Sequence, residues 1–243
     1  MQKVIILTVE PEYESARRLG FETYYSMYDK YIEDFDNYVV IRWGHGSPWV
    51  YKNGKEGDFK HVINPVSAIQ LNIQKDKAIE RLRMAVDTPR LFKDKIPANQ
   101  LAVYRPTAHT LGNGFTVIKG GKIENGMYAT EWIKTNTELR IFFCGDQTMM
   151  AQRISKNKNR LNDEFPCRSL WPYKFYKKVP NDLHIQTLKA AKIIGLDVGA
   201  ADVLIKDGKY YFLELNSAVT NDAKPIINFY KSGLNHLIKK FGV

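Results

Sequence analysis

Asp202 to Asn216 reads DVLIKDGKYYFLELN, a β-hairpin whose alternation gathers three candidate metal-binding side chains. Lys206-Asp207-Gly208 has the chemistry of a three-residue loop, with Gly208 suited to its left-handed position. That loop pairs Ile205 with Lys209, and therefore Asp202 with Phe212. Side chains alternate along a strand, so Asp202, Phe212, Glu214 and Asn216 are expected on one face. Val203, Ile205, Tyr211, Leu213 and Leu215 then form an apolar face toward the core. A two-residue loop would set Asp202 opposite Leu213 and turn a carboxylate into that core, which a half-buried sheet resists. Two carboxylates and an amide oxygen are hard donors suited to Mg²⁺ held together with substrate phosphates. Glu-x-Asn alone more often marks a solvated strand face. Here Tyr210 and Phe212 flank the polar groups, and carboxylates among large apolar residues are costly without a partner.

The chain has 243 residues, enough for one two-lobed enzyme or two small domains. Apolar residues make up 44% and charged residues 26%, as in ordinary globular proteins. No apolar run approaches the roughly 20 residues of a membrane helix, so no membrane association is expected. The opening MQKVIILTVEPEYE reads as a first strand rather than an export signal. Cys144 and Cys167 stand apart from any CxxC or Cys/His cluster, which fits a reducing, cytoplasmic compartment. A net charge of +10 points to anionic partners, although a basic surface without a specific partner has the same signature. Its densest part is Lys156 to Lys178, interleaved with Trp171, Tyr173, Phe175 and Tyr176. A nucleic-acid partner is possible on that ground, but no nucleic-acid-binding motif accompanies the patch.

Lys3 to Val9 is expected to be a buried strand, Glu12 to Phe21 a helix ending near Gly20, and Tyr38 to Trp43 a second strand before Gly44-His45-Gly46. His45 could reach a substrate there, but a turn histidine is more often structural. Asn64-Pro65 reads as a helix start capped by Asn64, and Asp76 as the cap of the next helix, whose inward face is Ala78, Leu82 and Val86. Short strands are expected at Leu101 to Arg105 and Met127 to Ile133. Glu138 to Cys144 should pair with Gln147 to Ile154 across Gly145-Asp146, joining Cys144 to Gln147 and Arg140 to Ala151. Glu138, Arg140 and Arg153 then share a face; a surface ion-pair ladder would produce the same pattern. Asp182 to Ile194 is a helix with Leu183, Leu188, Ala191 and Ile194 inward, and a last helix covers about 223 to 240.

In this order the pieces resemble the ATP-grasp superfamily of carboxylate–amine ligases, nearest to the branch that adds glutamate to a ribosomal-protein tail. The resemblance runs from about Asn64 to Thr220. It implies an α/β (α+β) fold in which two lobes, residues 63–135 and 136–243, sandwich a nucleotide. A short N-terminal α/β domain, residues 1–62, precedes them. Asp76-Lys77 is similar to the Asp-Lys whose lysine reaches the nucleotide phosphates. Tyr104-Arg105-Pro106 with His109-Thr110-Leu111-Gly112-Asn113-Gly114 resembles the Lys-Pro strand and its glycine-rich loop, departing from it at Arg105.

Thr130-Glu131-Trp132-Ile133 resembles the hinge that reads adenine, and Glu138-Leu139-Arg140 the Asp-x-Arg opening the next strand. The resemblance also implies ATP and Mg²⁺ as cofactors, with Asp202, Glu214 and Asn216 as metal ligands. Lys77 and Arg105 would hold the α- and β-phosphates, with His109, Gly112 and Gly114 in the loop above them. Arg140 and Arg153 would act on the transferring phosphoryl group, while Arg160 and Asn162 orient the carboxylate. The implied partners are ATP, a carboxylate and an amine acceptor, with a macromolecular, anionic acceptor among the expectations. Two other readings share the sequence: an ATP-grasp enzyme acting on a nucleic acid, and a nucleotide-responsive binding module without turnover.

Overall fold

The computed structural model describes residues 3–9, 12–25, 37–46, 49–50, 56–57, 59–107, 116–135, 137–154, 172–219 and 223–242. Strand β1 (Lys3–Thr8) buries every residue from Ile5 to Thr8. It lies parallel to β2 (Glu22–Tyr25) on one side and β3 (Tyr38–Trp43) on the other. Near-continuous apolar runs of this kind suit a parallel sheet covered on both faces. The intervening helix α1 (Tyr13–Arg17) is shorter than the sequence suggested, and Gly20 turns the chain at a φ of +84°. A two-stranded ribbon, β4 (Trp49–Val50) with β5 (Glu56–Gly57), precedes β6 (His61–Ile63), which completes the order β2-β1-β3-β6.

Helices α2 (Val66–Ile73) and α3 (Lys75–Leu82) begin differently from the sequence reading. Pro65 occupies the N-cap of α2 and Gln74 that of α3, while Asp76 sits inside the first turn of α3. An acid there suits the helix dipole without capping it. Asn64 is drawn away from the helix by a stronger demand. It is fully buried at a φ of +61°. Its Nδ2 donates to the carbonyls of Arg42 (3.2 Å) and Val198 (2.9 Å), and its Oδ1 accepts from the backbone of Asp197 (2.8 Å) and Val198 (3.0 Å). All four hydrogen-bonding positions of the amide are filled.

The second sheet comprises β7 (Leu91–Phe92), β8 (Lys95–Pro106), β9 (Thr116–Lys122) and β10 (Met127–Glu131), in the antiparallel order β7-β10-β8-β9. Residues 132–135 then lead into the third sheet. Its strands are β11 (Thr137–Cys144), β12 (Gln147–Arg153), β13 (Tyr173–Tyr176), β14 (Val198–Lys206) and β15 (Lys209–Asn216), in the antiparallel order β13-β12-β11-β14-β15. Cys144 faces Gln147 and Arg140 faces Ala151, as the Gly145-Asp146 turn required.

One face of this sheet packs on α2, α3 and α4 (Asn181–Ile194), through Leu139, Ile141, Phe143, Val203 and Leu215. Thr187 rather than Leu188 is buried in α4, its hydroxyl donating to the Leu183 carbonyl at 2.8 Å. The other face packs on α5 (Lys224–Lys239) and the first sheet, through Phe142, Cys144, Val198 and Ala200.

The hairpin of β14 and β15 departs from the expected register. Asp207 and Gly208 have φ values of +51° and +73°, the paired positive angles of a two-residue type I′ loop. Lys206 faces Lys209, and Val203 faces Phe212. A bulge then expels Leu213 from the ladder, so that Asp202 faces Glu214. The supernumerary residue thus sits in the bulge and not in the loop. Phe212 consequently belongs to the core, with no exposed surface, and does not share the face of Asp202.

Replacing Asn64 should be felt across the fold. Asn64→Ala leaves buried backbone donors and acceptors unpaired at about 1–3 kcal/mol per group. The expected loss is about 4 kcal/mol or more in urea unfolding, and a loss under ~1 kcal/mol would show that the amide is dispensable.

Candidate functional site

The α5-facing side of the third sheet changes character along its strands. Phe142, Cys144, Ala151, Val198 and Ala200 are apolar and buried, whereas Glu138, Arg140, Arg153 and Asp202 lie further along the same face. Helix α5 covers the apolar part. Its Tyr230 packs edge-on against Trp43 and Phe142, at 5.2 and 6.2 Å between ring centroids, and donates its hydroxyl to the Gly199 carbonyl at 2.7 Å. Gly233 allows that close approach, because a Cβ there would stand 2.6 Å from the Cys144 sulfur. The polar part remains for chemistry.

Arg140 and Asp202 face one another across β11 and β14. Nε and Nη2 of the guanidinium each donate at 2.7 Å to one carboxylate oxygen, a bidentate fork. Burial opposes the charge on Arg140, but the Asp202 carboxylate outweighs it and holds the guanidinium protonated. Asn216 donates its Nδ2 to Asp202 Oδ2 at 3.3 Å, which leaves its amide oxygen as an acceptor. Glu214 stands opposite Asp202 through the bulge. The bulge therefore brings Asp202, Glu214 and Asn216 together, although by a different register from the one their spacing suggested.

Glu138 and Arg153 form an ion pair at 3.0 Å, with side chains only 8% and 5% exposed. They are not the surface ladder that an acid and arginines on one strand face so often make. Arg153 also lies 4.9 Å from the centroid of the Tyr173 ring, its cross-strand neighbour. Burial raises the pKa of Tyr173, while Arg140 and Arg153 oppose the rise and Arg140 bonds the hydroxyl. Tyr173 thus belongs to the polar cluster. In the sequence it is one of several aromatic residues interleaved with the basic run, with nothing to single it out.

The second sheet contributes Arg105, whose guanidinium lies 5.6 Å from the centroid of the Tyr128 ring. The Arg105 Nε is buried without a hydrogen-bond partner among the described residues. Burial raises the pKa of Tyr128; Arg105 opposes the rise, and Glu214 and Asp76 add to it. Tyr128 of the second sheet thus feels the charges of both Arg105 and Glu214, the latter on the third sheet.

Helix α3 presents a lysine to the same place, but it is Lys75. Lys75 Nζ lies 3.5 Å from Glu214 Oε2 and donates to the Leu215 carbonyl at 3.2 Å. Lys77 is exposed. Helical periodicity holds the signal for this difference: Lys75, Ala78, Ile79 and Leu82 follow the inward stripe, whereas Lys77 lies with exposed Glu80 and Arg81.

Glu131, Trp132 and Ile133 lie half-buried between the sheets, with the N–H of Glu131 given to Arg90 (2.8 Å) and that of Trp132 to Leu101 (3.1 Å). His45 is buried beside Arg42, 3.0 Å from Arg42 Nη1 to its Nδ1. His109, Gly112, Gly114, Arg160, Asn162 and Trp171 lie outside the described residues. Among the described residues no three His, Cys, Asp or Glu side chains converge on one point. The trio thus offers a cation two carboxylates and one amide oxygen, a set that suits Mg²⁺ when phosphate oxygens complete its coordination.

No protein-family model and no curated protein sequence matches the chain. Solved structures do. The macrocyclase MdnC from Microcystis aeruginosa MRC, bound to precursor peptide MdnA, superposes with a TM-score of 0.63 at 15% identity, over 98% of this chain and 99% of that one. The ATP-grasp ligase PsnB, complexed with a minimal precursor, gives 0.63 at 14% identity over 98% and 100%. D-alanine–D-alanine ligase from Bacillus anthracis gives 0.63 at 10% identity over 98% and 97%. The chain has the ATP-grasp fold, α/β throughout.

Breaking the Arg140–Asp202 fork from one side only should be severe. Arg140→Met leaves a carboxylate buried without its cation and is expected to cost about 3–5 kcal/mol in urea unfolding. Arg140→Met with Asp202→Leu should recover most of that loss, and a double variant no more stable than the single one would refute the pairing.

Proposed function

We propose that this protein is an ATP-dependent carboxylate–amine ligase. The observation that carries the reading is the convergence of Asp202, Glu214 and Asn216 at a junction of two sheets that also holds Arg105, Arg140 and Lys75. Such a ligase transfers the γ-phosphoryl group of ATP to a carboxylate, forming an acyl phosphate and ADP. An amine then attacks the acyl carbon, an amide bond forms, and phosphate leaves. These steps require positioning and charge stabilisation more than covalent help from the protein.

Each described residue has a corresponding task. Asp202, Glu214 and Asn216 would hold Mg²⁺, which when bound draws charge from the phosphates and lowers the cost of transfer. Arg105, set against Tyr128 with its Nε available, meets the α- and β-phosphates, and Lys75 takes the place at the site that Lys77 was expected to hold. Arg140 is anchored by Asp202, and Arg153 by Glu138, so both guanidiniums are fixed before substrate arrives. Fixed positive charge is effective against a developing negative one because little reorganisation is needed at the moment of reaction. Glu131, Trp132 and Ile133 line the connection where adenine would lie. His109, Gly112 and Gly114 would meet the phosphates, while Arg160 and Asn162 would orient the carboxylate.

The acceptor fits a peptide or another anionic macromolecule. The formal charge of +10 favours such a partner electrostatically. MdnC and PsnB are both recorded with precursor peptides, and PsnB also with Mg and ADP. No helix among the described residues is long and apolar enough to cross a membrane.

Binding of Mg–ATP tests the reading directly. At about a hundred times its dissociation constant the nucleotide should stabilise the fold by roughly 2.7 kcal/mol, visible as a rise in melting temperature. The rise should need Mg²⁺, and Glu214→Ala should remove it and abolish ADP release without unfolding the protein. A Glu214→Ala protein that still turned over ATP would sink the assignment.

A further inference from the structure

Both carboxylates of the trio already face a resident cation. Arg140 forks Asp202 at 2.7 Å, and Lys75 stands 3.5 Å from Glu214. The two contacts differ in character. Arg140 makes two short bonds from a rigid fork and sits in the strand next to its partner. Lys75 meets Glu214 with a single ammonium on a flexible stem, at a distance beyond a good charge-assisted hydrogen bond. It comes from another element, the first residue of α3, and its other bond is to a main-chain carbonyl. Its side chain is 11% exposed, so the charge is poorly solvated and needs an anion near it.

We propose that Lys75 is an exchangeable counter-ion. It neutralises Glu214 while the site is empty, and passes to a phosphate of the incoming nucleotide when a divalent cation takes Glu214. This rests on the ATP-site reading above and deepens it. The charges of the empty site balance, Lys75 and Arg140 offsetting Glu214 and Asp202. In the filled site a divalent cation offsets the two carboxylates, which leaves the charge of Lys75 and Arg140 to meet part of the phosphate charge. A cation arriving alone must displace Lys75 and leave its ammonium without an anion, so the site discriminates against free metal and accepts metal together with nucleotide. Lys75 is thus a determinant of binding order. Lys77, exposed on the far side of the same helix, is free of that constraint.

Mn²⁺ is a suitable probe, because its free aqueous form is counted directly by electron paramagnetic resonance. Wild-type protein without nucleotide should bind Mn²⁺ weakly, and Lys75→Met should bind it about ten-fold more tightly, since one nearby positive charge has been removed. Lys75→Arg keeps the charge and should behave as wild type. Metal-free ADP, followed by calorimetry, should bind Lys75→Met more weakly than wild type. Lys75→Gln, which retains a donor for the Leu215 carbonyl, serves the same measurements if the methionine variant folds poorly. Mn²⁺ affinity unchanged or weakened in folded Lys75→Met, with Mg–ATP binding intact in wild type, would overturn the counter-ion role alone. Absence of Mg–ATP binding in wild type would overturn the site reading and this inference with it.

Discussion

The amide of Asn64 holds together three parts of the fold that share no continuous secondary structure. Through one fully buried side chain it joins the end of β3, the approach to α2 and the start of β14. The Asn64 backbone N–H adds a bond to the Asp197 carboxylate at 2.9 Å. Burial raises the pKa of that carboxylate, and the bond from Asn64 opposes the rise. A buried polar group is tolerated only when its hydrogen bonds are made, and here the requirement works as a specification. One of its bonds reaches Arg42 of the first sheet and three reach the start of β14, so the amide ties the two together. Because β14 carries Asp202, the position of the candidate site is inherited from this junction.

The bulge at Leu213 is the second constraint, and it resolves a conflict between turn chemistry and side-chain chemistry. A two-residue I′ loop matches the twist of the flanking strands, and the Asp207-Gly208 pair adopts it. Continued without interruption, that register would set Glu214 opposite Ala201, on the core face. Removing one residue from the ladder brings Glu214 and Asn216 to the side of Asp202, and it places Phe212 and Leu215 together in the core. Bulges concentrate beside functional sites because they redirect a side chain locally while the rest of the sheet is unchanged.

Charge in this region is arranged in pairs. Glu138 with Arg153, Asp202 with Arg140 and Glu214 with Lys75 form three contacts on or beside one sheet face. Burying ions is unfavourable, so such pairs are weak evidence for stability. They fit better with a site that must present fixed cations to a highly charged ligand. The apolar part of the same face is sealed by Tyr230 and by the close approach at Gly233.

The register of the β11–β12 hairpin was legible in the sequence, because a two-residue turn and two alternating strands leave one pairing. The parallel strands β1 and β3 and the inward faces of α3 and α4 were nearly so, since a strand covered on both faces is a continuous apolar run and a helix repeats its buried face every 3.6 residues. The grouping of Asp202, Glu214 and Asn216 was legible too, as two carboxylates and an amide cannot face an apolar core. The tertiary structure decided what local pattern leaves open. It turned Asn64 from a helix cap into a junction, because four buried backbone groups compete for one amide more strongly than a solvated helix end does. It moved one residue from the loop to the bulge, and it brought Lys75 and Tyr173 to the site from elements distant in sequence. Spacing along a chain reports which side chains share a face; only packing reports which faces meet.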